Sequence, residues 1–399
     1  MKKRYKEAQE LILSMVKPGE PLEVPLEEAW ERVLAQDTFS PMDLPPVDTS
    51  AMDGYAIMAR DTHAPPVLLP VKGEAPAGCA VPPPLEPGKA MLVTTGGPIP
   101  PGADAVIKME EVEEKGPSIL ISRRVEKGEL INTRGQEIKK GDLLLSRGTL
   151  LGPRKIALLA SVGLNRVKIH PPPRAALFSS GDEILEPSQS YQAGRVYNTN
   201  RYIVEGLLKR EGVQIDYLGI LPDNPRIQKD ALARAMERYP LIITTGAVSR
   251  GKYDHLRQVM TGLDLQIHIT STNIKPGHPM VFGTRGEVLF FGLPGYPSAT
   301  LVNTLVYLLP AVRKMKGVKD CFPSTIKART KEPLKSRKGK VYFIRVNLQR
   351  RHGEWMVSST GSQLTSVYIT SALAQGLAIL PEEVDMIKSG EKVEVLPLG

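Results

Sequence analysis

The chain is poor in cysteine, in aromatic residues and in long apolar runs. Of its 399 residues only Cys79 and Cys321 are cysteine, and they lie far apart. No CxxC and no Cys/His spacing occurs, so neither a disulfide framework nor a zinc site of the usual pattern is encoded. Aromatics make up 5%, too few base-stacking platforms for a single-strand nucleic-acid binder. No stretch approaches the ~18 apolar residues that would span a bilayer. The opening MKKRYKEAQELILSMVKPGE is basic, but its apolar residues are spaced helically, unlike the core of a signal peptide. The expectations are a reducing cytoplasm and no membrane partner.

The charge that is present leans one way. Lys and Arg number 52 against 43 Asp and Glu, a net charge of +9. Such a balance attracts anions. Apart from the run Lys335, Arg337, Lys338 and Lys340 the basic residues are scattered. A scattered excess suits a small anionic substrate, not a nucleic-acid-tracking stripe. The length exceeds one compact core and predicts two to four domains.

Tyr5, Ala8, Leu11, Ile12, Met15 and Val16 recur at three- and four-residue spacing, an amphipathic helix ending near Pro18-Gly19. Pro25 is expected to open a second helix through LEEAWERVLA. From about Pro41 to Gly135 short apolar runs alternate with strings such as VPPPLEPG and GGPIPPG, a β module. A helical pattern returns at Pro153–Val162, expected to pack on the N-terminal helices and make that domain discontinuous. The assignment is residues 1–43 with 136–170 for this helical linker domain and 44–135 for the β module.

After Pro171-Pro172-Pro173, residues 171–320 alternate strand and helix, which predicts a parallel sheet covered on both faces. Ligands of such sheets sit at the carboxyl ends of the strands. Residues 321–399 return to strands alone, a small β barrel.

Several loops follow strands of this sheet. Ser179-Ser180-Gly181-Asp182-Glu183 joins hydroxyls, a glycine and two carboxylates. It can hold phosphate through N–H groups and Mg²⁺ through oxygens, or be a turn with a capping Asp. Thr244-Thr245-Gly246-Ala247-Val248-Ser249-Arg250-Gly251-Lys252-Tyr253-Asp254 offers an anion site at a helix start, or an N-cap loop. Lys275-Pro276-Gly277-His278-Pro279 is a stiff cationic loop, and Gly292-Leu293-Pro294-Gly295-Tyr296-Pro297-Ser298 opens a helix. In the β module, Asp48-Thr49-Ser50-Ala51-Met52-Asp53-Gly54-Tyr55-Ala56 gathers acids and hydroxyls, which also fits a capped strand entry.

Taken together, DTSAMDGYA (48–56), TTGGPIPPGADAVI (94–107), FSSGDEI (178–184), YNTNR (197–201), TGAVSRGKYD (245–254), KPGHP (275–279) and GLPGYP (292–297) resemble the MoeA and gephyrin E-domain family of molybdopterin molybdenumtransferases. They run in the family's order over nearly the whole chain. The resemblance implies a multidomain α/β plus β fold: a central MogA-like parallel α/β domain, a β module, a helical linker domain and a C-terminal small β barrel. It implies a homodimer whose cleft joins the α/β domain of one subunit to the β module of the other. The implied reaction takes adenylylated molybdopterin from a molybdopterin adenylyltransferase, releases AMP with Mg²⁺, and inserts molybdate, or tungstate, at the dithiolene.

The same resemblance assigns roles. Asp53, Asp223, Asp254 and Lys275 are the catalytic candidates, and Asp182, Glu183 and Asp254 the metal ligands. Thr95, Arg134, Ser180, Gly181, Gly246, Ser249, His278, Pro294, Pro297 and Ser298 are the candidate contacts to cofactor or phosphate. The chain departs from the family pattern at His278 (KPGHP for KPGKP), Tyr296 (GLPGYP for GLPGNP), Gln136-Glu137, and Thr365-Ser366-Val367-Tyr368. The alternatives are a tungstate-preferring paralogue, a pterin-binding scaffold with reduced turnover, and a nucleic-acid binder driven by charge.

Overall fold

The computed structural model describes residues 1–246 and 258–398. At its centre lies a seven-stranded sheet. Gln214–Leu221, Arg174–Ser180, Leu241–Thr245 and Val288–Leu293 run parallel in that order. Leu241–Thr245 and its neighbours are short apolar runs buried on both faces, as crossover-connected strands must be. One face is covered by helices Tyr5–Met15 and Asn200–Arg210 and the long helical stretch from Pro297 to Met315. The other is covered by Pro225–Met236 and by Val259, Met260 and Leu263.

The sheet is not parallel throughout. Pro279–Arg285 pairs antiparallel with Val288–Leu293, and Gln266–Thr272 antiparallel with Pro279–Arg285. Only Gly286-Glu287 separates Arg285 from its partner Val288, and so short a turn permits only an antiparallel hairpin. Lys2–Lys3 adds an outer strand, which pins the N-terminal helix beside the sheet.

The helical stretch between Pro297 and Met315 contains a π-helical turn at Thr304–Leu308. Pro310 has no N–H to give the carbonyl of Val306, four residues back. The side-chain amide of Gln9 donates to that carbonyl instead, at 3.0 Å. A buried glutamine thus ties the first helix to the last one of this unit.

The segment LEEAWERVLA is not a helix. Leu26–Glu28 makes one 3₁₀ turn, Glu31 has φ 55°, and Val33–Leu34 is a strand. Leu26, Ala29, Val33 and Leu34 are all buried, so a turn followed by a strand satisfies the apolar spacing that a helix would. Leu22–Pro25 pairs with Arg166–His170. The helix Pro153–Ser161 packs over these strands through Ile156 and Leu159, while Tyr5–Met15 buries its apolar face in the α/β core.

The β module is a six-stranded sheet, including Gly54–Ile57 and Val67–Ala75. At the C-terminal end Val341–Arg351, Glu354–Ser359, Ile326–Thr330, Lys392–Pro397 and Gly376–Leu380 pair in a ring that closes on Val341–Arg351. This is the expected small barrel. Its edge continues into the α/β domain through Ile274–Lys275, which pairs with Val341–Tyr342. No helix among the described residues is long and apolar enough to cross a membrane.

Candidate active site

A cleft of about 1020 Å³ opens at the carboxyl ends of the central strands. Its floor is made where three backbone segments converge. A Cβ on Gly246, which has φ 102°, would lie 2.3 Å from the carbonyl oxygen of Ser180. One on Gly295 would meet Gly246 Cα at 3.5 Å. Gly181, at φ 138°, leaves room for the Glu183 carboxylate, which a Cβ would meet at 2.5 Å. At Gly246, where the clash is with backbone and φ is positive, glycine is therefore required for this approach and not merely tolerated. Ser180, Glu183, Thr245 and Gly246 line the floor.

A hydrogen-bonded cluster braces one wall. Ser179 Oγ donates to Asn198 Oδ1 at 3.0 Å, and Asn198 Nδ2 donates to Tyr217 Oη and to Glu186 Oε1, each at 2.9 Å. Tyr217 Oη donates to Glu186 at 2.7 Å, and the Arg201 guanidinium lies 3.9 Å from the Tyr217 ring centre. Burial pushes the Tyr217 hydroxyl up to about 12. Burial also acts to raise Glu186, but bonds from Tyr217 and Asn198 and the charge of Arg201 hold it below the ordinary carboxylate range. Asn200 Nδ2 donates to Gly295 O at 2.9 Å, while its buried Oδ1 has no partner among the described residues.

The Lys275–Pro279 loop forms the opposite side. Asn303 Nδ2 donates to Gly277 O at 3.1 Å, and the loop turns at Gly277, φ 104°. Thr272 N–H donates to His278 O at 2.9 Å, and His278 Nδ1 lies 2.5 Å from Thr272 O. A carbonyl only accepts, so Nδ1 carries the proton and Nε2 is left for the cleft that His278 lines. Lys275 is exposed, and its ammonium sits 5.4 Å from the Tyr342 ring centre rather than on the cleft lining. Pro294 and Pro297 line the cleft. Ser298 does not: it is 1% exposed and its hydroxyl accepts from Ser371 Oγ at 2.8 Å.

Asp182 Oδ1 accepts from the N–H of Asp223 at 3.1 Å, which binds the turn after the first strand to the loop after the second. Asp223 is exposed. Ser249 and Asp254 lie outside the described residues. Among the described residues no group of three or more His, Cys, Asp or Glu is arranged to hold a metal. Glu183, with the hydroxyls of Ser180 and Thr245 in the same cleft, still supplies the hard oxygen donors that Mg²⁺ takes beside phosphate and water.

Asp53, Thr95 and Arg134 lie in the β module, and none lines the cleft within one chain. Asp53 Oδ1 accepts from the Thr95 N–H at 2.6 Å and from its hydroxyl at 2.8 Å. These bonds hold the Asp53 carboxyl below its usual range. Arg134 N–H donates to Asp48 at 2.7 Å, and its Nε to Asp43 at 2.6 Å. The Arg134 side chain is 67% exposed, so part of its fork stays available.

Sequence reasoning missed Arg345. It is 2% exposed, has no carboxylate partner among the described residues, and is bonded to Gln363, Ser371 and the carbonyls of Ser362 and Leu364. It fixes the barrel loop whose Ser366 and Tyr368 line the cleft. The one signal was an arginine inside the apolar run VYFIRV.

The chain matches the MoeA N-terminal region (domain I and II) over residues 3–163, the probable molybdopterin binding domain over 176–314, and the MoeA C-terminal region (domain IV) over 327–398. The chain belongs to the MoeA family, the molybdopterin molybdenumtransferases of molybdenum cofactor biosynthesis. It is 34% identical to the molybdopterin molybdenumtransferase of Haemophilus influenzae, over 94% of this chain and 93% of that one. The protein of that name from Nostoc sp. is 33% identical, over 92% and 86%. A crystal structure of the molybdopterin biosynthesis MoeA protein from Pyrococcus horikoshii superposes with a TM-score of 0.86 at 29% identity, covering 100% of both chains. The cleft draws residues from two of the matched regions. Its floor lies in the molybdopterin binding domain, and Ser366 and Tyr368 come from the C-terminal region.

Proposed function

We propose that this cleft binds adenylylated molybdopterin, releases AMP and joins molybdate to the dithiolene. The observation that carries the proposal is the floor pinched between the Ser180 carbonyl and Gly246, with the Glu183 carboxylate in the same cleft. A strand-end turn with no side chain at Gly246 leaves its backbone open to the cleft, which suits phosphate groups. Glu183 is the residue to hold Mg²⁺, with Asp182 and Asp254 as the further candidates. When bound, Mg²⁺ neutralises phosphate oxygens as charge develops. His278, on the cleft lining, draws the oxyanion, and Lys275 of the same loop adds to the positive field.

The chemistry balances without a redox step. Water forms one P–O bond as the bridging P–O bond of the anhydride breaks. AMP leaves, and the proton that water gives up goes to solvent. The two thiols of the dithiolene then pass their protons to one molybdate oxygen, which departs as water as two Mo–S bonds form. The chain's own part is to bind, orient and neutralise.

Asp53, Thr95 and Arg134 do not line the cleft of their own chain. A homodimer in which a second copy closes the cleft with this polar face gives them a role. The substrate comes from a molybdopterin adenylyltransferase, and the work is done in the cytoplasm. The test incubates the protein with adenylylated molybdopterin, Mg²⁺, and molybdate or tungstate, and measures AMP and metallated cofactor. Binding without AMP release would instead favour a scaffold.

A further inference from the structure

The cleft is divided by chemistry. Its floor is hydroxyls, amides, glycine backbone and the Glu183 carboxylate, whereas the exposed Tyr197 and Tyr296 and the half-buried Tyr368 also line the cleft. In a chain with 5% aromatics this is a local concentration of flat, rigid surface. Tyr197 is already engaged: its ring lies 6.5 Å from that of Tyr191, and its hydroxyl donates to Gln189 O at 3.2 Å. The Tyr296 side chain has no ring contact and no hydrogen bond among the described residues, and it is 59% exposed. Tyr368 is half-buried, and its hydroxyl has no hydrogen-bond partner among the described residues.

The backbone at Tyr296 is fixed. Its carbonyl accepts from the N–H groups of Ala299 and Thr300 at 2.9 and 3.0 Å, and Gly295 and Pro297 flank it. The ring is thus a projecting plate on a rigid base, and tyrosine offers such a plate at low entropic cost.

We infer that Tyr296, with Tyr368 on the barrel side, clasps the planar heteroaromatic ring of the ligand above the phosphate-holding floor, and that Tyr296 sets the preference for ring-bearing phosphates. This rests on the proposed function for the identity of the ligand, which has two such rings, the pterin and the adenine. The stacking itself needs only a phosphorylated heteroaromatic.

The experiment measures binding to the full chain by calorimetry. The probes are inorganic phosphate, ribose 5-phosphate, AMP and 6-hydroxymethylpterin phosphate. The proteins are wild type, Tyr296→Asn and Tyr296→Phe. Stacking of a base on an aromatic ring is worth about 1–3 kcal/mol, so Tyr296→Asn weakens a ring-bearing probe about 5- to 150-fold. Tyr296→Phe binds as wild type does, and the two ringless probes do not distinguish the three proteins. Loss confined to AMP identifies adenine as the stacked ring, and loss confined to the pterin identifies the pterin. Unchanged binding of both by Tyr296→Asn overturns the inference, as does an equal loss for ribose 5-phosphate. Because no turnover is measured, an absence of AMP release from the natural substrate defeats the proposed reaction without touching this result.

Discussion

The carbonyl oxygen of Ser180 lies 2.3 Å from the position where a side chain on Gly246 would begin. Two parallel strands thus deliver their ends into contact, and nothing larger than hydrogen fits between them. The floor of the cleft depends on this approach.

Gly246→Ala tests it. The substitution meets both a positive φ and a backbone oxygen, so a loss of about 1–3 kcal/mol in unfolding free energy is expected. AMP release should fall at least tenfold, because the floor must open. Denaturant titration with an activity assay checks both. Wild-type stability and rate together would show that the floor tolerates displacement.

Glu186 gives a pH signature. Its folded pKa is held below the ordinary value, so its stabilisation is present above the unfolded value of about 4.3. It is lost as pH falls through the depressed folded value. Glu186→Gln should cost about 1–2 kcal/mol at pH 7, on the scale of charged hydrogen bonds discounted for solvent. The two proteins should converge at the acid end. A difference that is constant from pH 7 into that range would mean that packing, not charge, is lost.

His278 stands where the family pattern has lysine. A lysine there would set a fixed positive charge on the cleft lining. His278→Lys should therefore bind molybdate more tightly than the wild type, measured by calorimetry. Equal affinity in the two proteins would leave His278 as a loop brace held by Thr272.

What the sequence made legible follows from locality. Leu241–Thr245 and Val288–Leu293 are continuous apolar runs bounded by proline or glycine, and both were readable as buried strands. Pro279–Arg285 was not, because it opens on a proline and ends in a hairpin of Gly286-Glu287. The floor loops were readable because glycines and hydroxyls follow strands directly. The commitments of Ser298 and Arg134 were not, because their partners Ser371 and Asp43 lie 73 and 91 residues away. Arg345 was hidden for a related reason. A lone arginine in a strand reads as outward-facing until the barrel closes around it.

The measurement that bears most directly on the account is AMP release from adenylylated molybdopterin by wild type and Glu183→Gln, followed against Mg²⁺ concentration with molybdate present. The account predicts Mg²⁺-dependent AMP release with metallated cofactor from the wild type. It predicts that Glu183→Gln needs about 10–100 times more Mg²⁺ for half-maximal rate, or turns over more slowly by that factor. Identical Mg²⁺ dependence and rate in the two proteins, or AMP release that ignores Mg²⁺, would contradict it.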